Sequence, residues 1–382
     1  MSPVAPALPS DSQARPRIVG IVGSGGAYGR WLTRFFRERM GLEVIGRDPA
    51  SADSVSEDTL IGQADVLVFS APIRITSELI ADYVRRADGR ERGKLWLDVT
   101  SVKSQPVAAM LDSQAEVAGL HPMTAPPKAP TLKGRVMVVC EARLQHWRGW
   151  LHELMRASQA ECVQSTPDHH DRVMALVQAM VHATHLSQAG VLRHYMGSLG
   201  GLDKLMPYRS TSFEMDTTMM ARILSLNPAI YEDIQFGNAY VREMLEHLLD
   251  EVERLHDQVS RGDDAARAEF REHFLHTNHE ALGETALAEG NYSFERLSYL
   301  LADLTETHYL SVHLPEDRSG SLRVLLHIFE RHGVSLSSIH SSRTPDGEVH
   351  FRIGFQGGID PDVRRIVIGE IEGGGTGRVL SR

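Results

Sequence analysis

Three short runs of this chain carry residue types at spacings that chemistry can use. The first is Gly23-Ser24-Gly25-Gly26-Ala27-Tyr28-Gly29, which follows an apolar run and opens a helical one. A strand that turns tightly into a helix N-terminus offers free N–H groups and a partial positive charge to a phosphate. Glycines let the backbone approach a pyrophosphate and let helix and strand pack closely. Tyr28 stands where the third glycine of a G-x-G-x-x-G pattern would fall, and Gly29 follows it. Asp48 comes 25 residues after Gly23, near the end of the second strand-like run. Its carboxylate suits ribose hydroxyls and repels a 2′-phosphate, whereas the adjacent Arg47 suits such a phosphate. The pattern predicts a dinucleotide cofactor, NAD with NADP not excluded. Its expected contacts are Gly23, Gly25, Gly26, Tyr28, Gly29 and Asp48.

The other two runs are Asp98-Val99-Thr100-Ser101-Val102-Lys103 and Gly119-Leu120-His121-Pro122-Met123. Both fall where strands should end, and in doubly wound folds ligands lie at the carboxyl ends of strands. A neutral imidazole at His121 can take a proton from a substrate hydroxyl as hydride leaves the same carbon. The Ser101 hydroxyl can hold that oxygen in line. A turn histidine before proline, satisfied by backbone groups, is the plainer reading of His121 taken alone.

The elements that must position these residues follow from periodicity. From Arg17 to about Cys162, strand candidates lie at Arg17–Val22, Leu42–Gly46, Asp65–Ser70, Lys94–Val99, Glu116–Leu120, Arg135–Cys140 and Ala160–Val163. Between them, Ala27–Met40, Thr76–Ala87, Gln105–Gln114 and Leu144–Ala157 read as helices. Alternating β and α units predict an α/β, Rossmann-like domain with a parallel sheet covered on both faces. From His169 to Asp303 the strand signal almost vanishes. Asp171–Arg193, Glu214–Ser225 and Ile230–Gln258 are rich in helix formers, with many Leu and Met that need covering, by a second copy or within the chain. From Thr305 onward the order βαββα, with a last short strand, predicts a small α+β module containing a turn at Thr344-Pro345-Asp346-Gly347. The expected boundaries are a flexible tail at 1–16, a dinucleotide-binding domain at 17–165, an all-α domain at 166–303 and the small module at 305–382.

Composition excludes several classes. With 40 Lys+Arg against 50 Asp+Glu the formal charge is −10, against a nucleic-acid binder. No apolar run reaches the ~18–20 residues that a membrane span needs. Two cysteines, Cys140 and Cys162, cannot make a disulfide framework, and the start MSPVAPALPSDSQARP lacks a signal-peptide layout, so a cytoplasmic protein is expected. Among 19 histidines, His273, His276 and His279 recur every third residue beside Glu280. A polar helix face accounts for that run, and no metal is expected.

Taken together, the glycine loop, Asp98-x-x-Ser101-Val102-Lys103, His121-Pro122-Met123 and His170-Asp171 opening a helix resemble the prephenate/arogenate dehydrogenase family over about Arg17 to Asp303. The resemblance implies that His121 accepts the proton of the prephenate ring hydroxyl and that Ser101 hydrogen-bonds that hydroxyl. It implies that Arg222 binds a substrate carboxylate and that His182 lies near the substrate. Lys103 would orient its loop or touch substrate. NAD-dependent oxidative decarboxylation of prephenate to 4-hydroxyphenylpyruvate, in tyrosine biosynthesis, is the implied activity. An intertwined homodimer is the expected assembly, as one way to cover the Leu- and Met-rich helices, with an intramolecular bundle as the alternative. Glu214 stands where some relatives carry a second arginine, and Thr124-Ala125-Pro126 replaces a bulkier or more glycine-rich stretch. Both bear on prephenate against arogenate. Only about 16 residues precede the first domain, so no fused mutase segment is expected.

The last module resembles an ACT domain, with Leu314–Leu322 like its first loop and Ser335–Arg343 like its second strand. That implies feedback by an amino acid, tyrosine or phenylalanine. His340-Ser341-Ser342-Arg343 has one residue more than the Glu-Ser-Arg-Pro pattern of phenylalanine-sensing relatives. Two alternatives stay open: an arogenate-preferring dehydrogenase, and an amino-acid-sensing regulator that keeps an inactive dinucleotide fold.

Overall fold

The computed structural model describes residues 15–127, 129–305, 308–314, 319–343, 349–355 and 359–381. Most of the expected N-terminal tail lies outside the described residues, as do the turn Thr344–Gly347 and positions 315–318 of the loop Leu314–Leu322. Two compact units divide the chain, one ending at Glu253 and the other beginning at Arg254.

The first unit is built on strands β1 (Ile18–Val22), β2 (Glu43–Arg47), β3 (Val66–Phe69), β4 (Leu95–Asp98), β5 (Glu116–Pro122), β6 (Val136–Arg143) and β7 (Glu161–Gln164). They form one sheet in the order β2-β1-β3-β4-β5-β6-β7. Helices α1 (Ala27–Arg34), α2 (Glu57–Gln63), α3 (Ile73–Ala87), α4 (Ser104–Leu111) and α5 (Arg148–Ser158) intervene between the strands. The sheet is buried on both sides, so its inner strands are continuously apolar. In β3, Val66 and Val68 face one core with Trp31 and Phe36, while Leu67 and Phe69 face the other with Tyr83 and Trp96.

The expectation of a wholly parallel sheet is corrected at one place. β6 runs antiparallel to β5, pairing Leu120 with Val139 and His121 with Val138. A parallel neighbour needs a crossover, usually a helix, and the described residues between 123 and 135 form none. α2 was missing from the sequence reading; Ser56 caps it by accepting from Thr59 N.

The helical stretch begins at α6 (Pro167–Met174), where Thr166 accepts from His169 N and Pro167 occupies the first turn. It widens into a π-helical turn at Ala175–Met180, then continues as α7 (Val181–Leu199). α8 (Leu202–Leu205), α9 (Thr211–Ser225), α10 (Pro228–Gly237) and α11 (Val241–Arg261) follow. The single helix expected over Ile230–Gln258 is therefore two. Buried Asn238 makes the break: its Oδ1 accepts from Tyr240 N and its Nδ2 donates to Asp171 O. α6 packs on α4 and β6, and α10 packs on α3.

In the second unit, α12 (Asp264–Phe270), α13 (Asn278–Leu282) and α14 (Glu284–Thr305) precede β8 (Tyr309–Leu314), α15 (Ser321–Arg331), β9 (Leu336–Arg343), β10 (Val349–Phe355), α16 (Pro361–Gly373) and β11 (Arg378–Ser381). The last four strands make an antiparallel sheet ordered β11-β8-β10-β9. Leu310, Val312, Phe351 and Ile353 alternate inward to meet Leu325 and Phe329 of α15. The expected βαββαβ order is present.

Candidate active site

The glycine loop joins β1 to α1 under tight constraint. Gly23 has φ +84°, and a Cβ there would lie 2.3 Å from Ser70 O at the end of β3. A Cβ on Gly29 would lie 2.1 Å from Gly23 O, so α1 can pack this closely only without one. Gly26 caps α1 and offers no side-chain acceptor, which leaves the first-turn N–H groups of the helix for a ligand. Asp48 closes over the loop, its Oδ2 accepting from Gly25 N at 3.0 Å and its Oδ1 from Ala50 N at 2.9 Å. Arg47 is committed elsewhere: Nε donates to Glu57 Oε1 at 2.9 Å and Nη1 to Ser54 Oγ at 3.2 Å. Tyr28 turns its ring inward, edge-on to Trp31 at 5.9 Å. Burial pushes its phenol up, and the hydroxyl has no partner among the described residues. A crowded glycine turn, an uncapped helix end and a carboxylate beyond the second strand fit a dinucleotide.

His121 sits one residue before the end of β5, 2% exposed. Its Nδ1 lies 2.9 Å from Nε2 of His170, whose Nδ1 lies 2.8 Å from Asp171 Oδ1. Both partners stand on α6 and both are buried. Burial, then the neighbouring His170 and Lys103 charges, hold His121 well below the usual imidazole range. Burial also lowers His170, against the pull of Asp171. For Asp171, burial works upward, but the bonds it accepts from His170, Ser104 and Lys103 outweigh it and leave the carboxyl lowered. His121 is thus a neutral imidazole across the physiological range.

Ser101 stands three residues past the end of β4, the strand that pairs with β5 through Asp98 and Gly119. Serine and histidine therefore emerge from adjacent strand ends. Of the two roles expected for Lys103, its surroundings favour orienting the loop over touching substrate. Its ammonium is fully buried, donating to Asp98 Oδ1 and to Leu120 O at 2.9 Å. Thr100 N and Oγ1 donate to the same Asp98 oxygen at 3.0 and 2.7 Å. This pair braces the loop that carries Ser101 from beneath and presents no charge to a ligand.

His182 and Arg222 belong to a second group. His182, just past the π-helical turn, meets Tyr231 of α10 edge-on at 4.8 Å, and its Nδ1 is buried without a partner among the described residues. Burial, with His185 nearby, lowers its pKa. Burial raises the Tyr231 phenol, and the charge of the exposed Arg222 opposes that rise. Glu214 accepts from Arg209 Nε at 3.1 Å. Sequence reasoning missed Asp98, Tyr231, Asn238 and the link from His121 to His170. His170-Asp171 had been read only as a helix start and a motif. Among the described residues, no group of three or more His, Cys, Asp and Glu is arranged to hold a metal, and no helix is long and apolar enough to cross a membrane.

Residues 166–276 match the family model described as prephenate dehydrogenase, dimerization domain. The chain is 24% identical over 263 residues to the "Probable arogenate/prephenate dehydrogenase" of Methanocaldococcus jannaschii, covering 64% of this chain and 57% of that protein. It is 28% identical over 243 residues to the T-protein of Haemophilus influenzae, covering 61% and 60%. The chain thus spans less than two thirds of the length of either relative. Among solved structures, prephenate dehydrogenase from Aquifex aeolicus, in complex with hydroxyphenyl propionate and NAD+, superposes with a TM-score of 0.54 at 17% identity, covering 69% of this chain and 97% of that one. At that identity the likeness is one of fold.

Proposed function

We propose that the chain is a member of the prephenate dehydrogenase family, whose dimerization-domain model residues 166–276 match, and that it catalyses the NAD-dependent oxidative decarboxylation of prephenate to 4-hydroxyphenylpyruvate. One observation carries the reading: a buried imidazole, held neutral, at the carboxyl end of β5 on the same sheet as a dinucleotide-type glycine turn. A bound nicotinamide dinucleotide supplies the hydride acceptor. His121 receives the proton of the C4 hydroxyl as hydride leaves C4, and loss of carbon dioxide from C1 makes the ring aromatic. Ser101 aligns the hydroxyl, and Arg222 matches a substrate carboxylate with its planar fork. Asp48 supports NAD over NADP, and the engagement of Arg47 with Glu57 and Ser54 supports the same preference.

The assembly in this reading is a homodimer through the helical region. Val191, Leu249 and Val252 are more than half exposed on α7 and α11, beside a groove of about 700 Å³ between α7, α9 and α11. The C-terminal βαββαβ unit supports an ACT-type module that takes tyrosine or phenylalanine as a feedback effector.

Steady-state assays of NADH formation test the proposal, with prephenate and arogenate side by side, each with NAD and NADP, with and without tyrosine and phenylalanine. Prephenate with NAD should be the best pair. His121→Asn should keep NAD affinity and lose about 10²–10⁴ in kcat, the range that general base catalysis spans. Near-normal turnover by that variant, or no NADH from either substrate, overturns the reading. Faster turnover of arogenate replaces prephenate and leaves the chemistry intact.

A further inference from the structure

A histidine that acts as a base at one nitrogen must have the other nitrogen occupied, or its tautomer is free to change. Here every proton in the chain behind His121 can be assigned from one end. Asp171 has a lowered pKa and is ionised, so it only accepts. Its Oδ1 takes Lys103 N at 2.8 Å and its Oδ2 takes Ser104 N at 2.8 Å. The contact from Oδ1 to His170 Nδ1, also 2.8 Å, therefore requires the proton on that nitrogen. His170 Nε2 is left with a lone pair and faces His121 Nδ1 at 2.9 Å. Two lone pairs cannot make that contact, so Nδ1 of His121 carries the hydrogen. Nε2 of His121 is left bare, as a base must be.

We propose that His170 and Asp171 are positioning residues that lock His121 in its Nε2-basic tautomer while tying the same carboxylate to the loop that carries Ser101. The assignment rests on reading His121 as the proton acceptor. Asp171 is the point where three pieces meet. Its side chain holds the Lys103 and Ser104 amides just past Ser101 and orients His170, and its carbonyl accepts from Asn238 Nδ2 at 2.7 Å, where α10 gives way to α11. One residue thereby registers the helical region against the ends of β4 and β5. The other titratable groups around the chain are Lys103, paired with Asp98, and the buried Cys140 thiol, which burial pushes up to about 11. Lys103 directs its ammonium to Asp98 and Leu120 O, so the tautomer is set from Asp171.

The experiment compares wild type, His170→Gln and His170→Leu in the full chain. Glutamine restores an acceptor for His121 Nδ1–H, and leucine fills the space with none. His170→Leu should lose about 100-fold or more in kcat, the scale seen when a catalytic imidazole loses its tautomer partner, with KM and NAD affinity within about twofold of wild type. His170→Gln should recover kcat to within about tenfold of wild type. Nitrogen-15 histidine spectra give a readout that needs no turnover: His121 of the wild type should be protonated at Nδ1, and His170→Leu should populate the other tautomer. A wild-type His121 protonated at Nε2, equal losses in both variants, or undiminished kcat in His170→Leu overturns the proposal. Should His170→Leu not fold, the wild-type spectrum and the His170→Gln rate decide. Absence of turnover in wild type with the expected spectrum would remove the functional reading and leave the tautomer lock standing.

Discussion

Replacing Lys103 by methionine tests how the floor of the site is built. Lys103 and Asp98 are both fully buried, and the ammonium donates to Asp98 Oδ1 and Leu120 O. Without it, Asp98 keeps two donors, Thr100 N and Oγ1, both on Oδ1, while Oδ2 has no partner among the described residues. A carboxylate left in that position is an uncompensated buried charge. Breaking a buried pair in this way costs about 3–5 kcal/mol, whereas removing both charges is often close to neutral. Methionine occupies much the same volume, and Gly119 leaves the room along which the lysine stem already runs, so the loss is electrostatic and not a packing defect.

The readout is convenient because the four tryptophans, Trp31, Trp96, Trp147 and Trp150, are all buried around the sheet of the first unit. Their fluorescence in urea reports that sheet and not the C-terminal module. With a slope of about 2–3 kcal/mol per molar urea, Lys103→Met should lower the midpoint by about 1–2 M. Adding Asp98→Asn should restore most of it, since the amide oxygen still accepts from Thr100 and no charge remains. A single variant within about 0.3 M of wild type, or a double variant no better than the single, refutes the reasoning.

Two further expectations follow from the same residues. Because burial depresses the pKa of His121 below 6.5, the acid limb of kcat/KM should lie below that value. Over that window the unfolded chain binds the proton and the folded chain does not, so stability should also fall as pH drops below about 6.5, by about 1.4 kcal/mol per unit of depression. Rate profiles and pH-dependent urea midpoints check both, and an acid limb above pH 7 would contradict them. Gly29→Ala forces a Cβ to within 2.1 Å of Gly23 O, a backbone atom that cannot step aside. It should cost about 1–3 kcal/mol of stability and weaken NAD binding by calorimetry, and unaltered binding would take the loop out of the cofactor site.

What could be read in advance was what is local in the chain. A run such as Val66–Phe69, buried at all four positions, is a strand of a sheet covered on both faces whatever surrounds it. A glycine-rich turn between strand and helix likewise announces itself. The misreadings fell where a distant partner decides. Ile230–Gln258 has a helix-forming composition, and nothing nearby says that Asn238 will abandon the helix for a carbonyl 67 residues away. For Lys103 the sequence left two roles open, orienting its loop or touching substrate, because nothing nearby marks Asp98, five residues earlier, as its counter-ion. The lack of a helical pattern in the sequence between β5 and β6 was a legible signal for the antiparallel β6, since parallel neighbours need a crossover.

His170 and Asp171 show the limit most sharply. On sequence alone they suit a helix start, where an acid in the first turn is favourable. Their contacts run to residues 49 and 68 positions away. A side chain can serve a helix terminus from its own segment, but a tautomer is set by whatever stands opposite, and that is a property of the folded chain. A substitution at Asp171 should accordingly disturb rate more than helix stability, because the α6 N-terminus keeps its cap at Thr166 while His121 loses the far end of its hydrogen-bond chain.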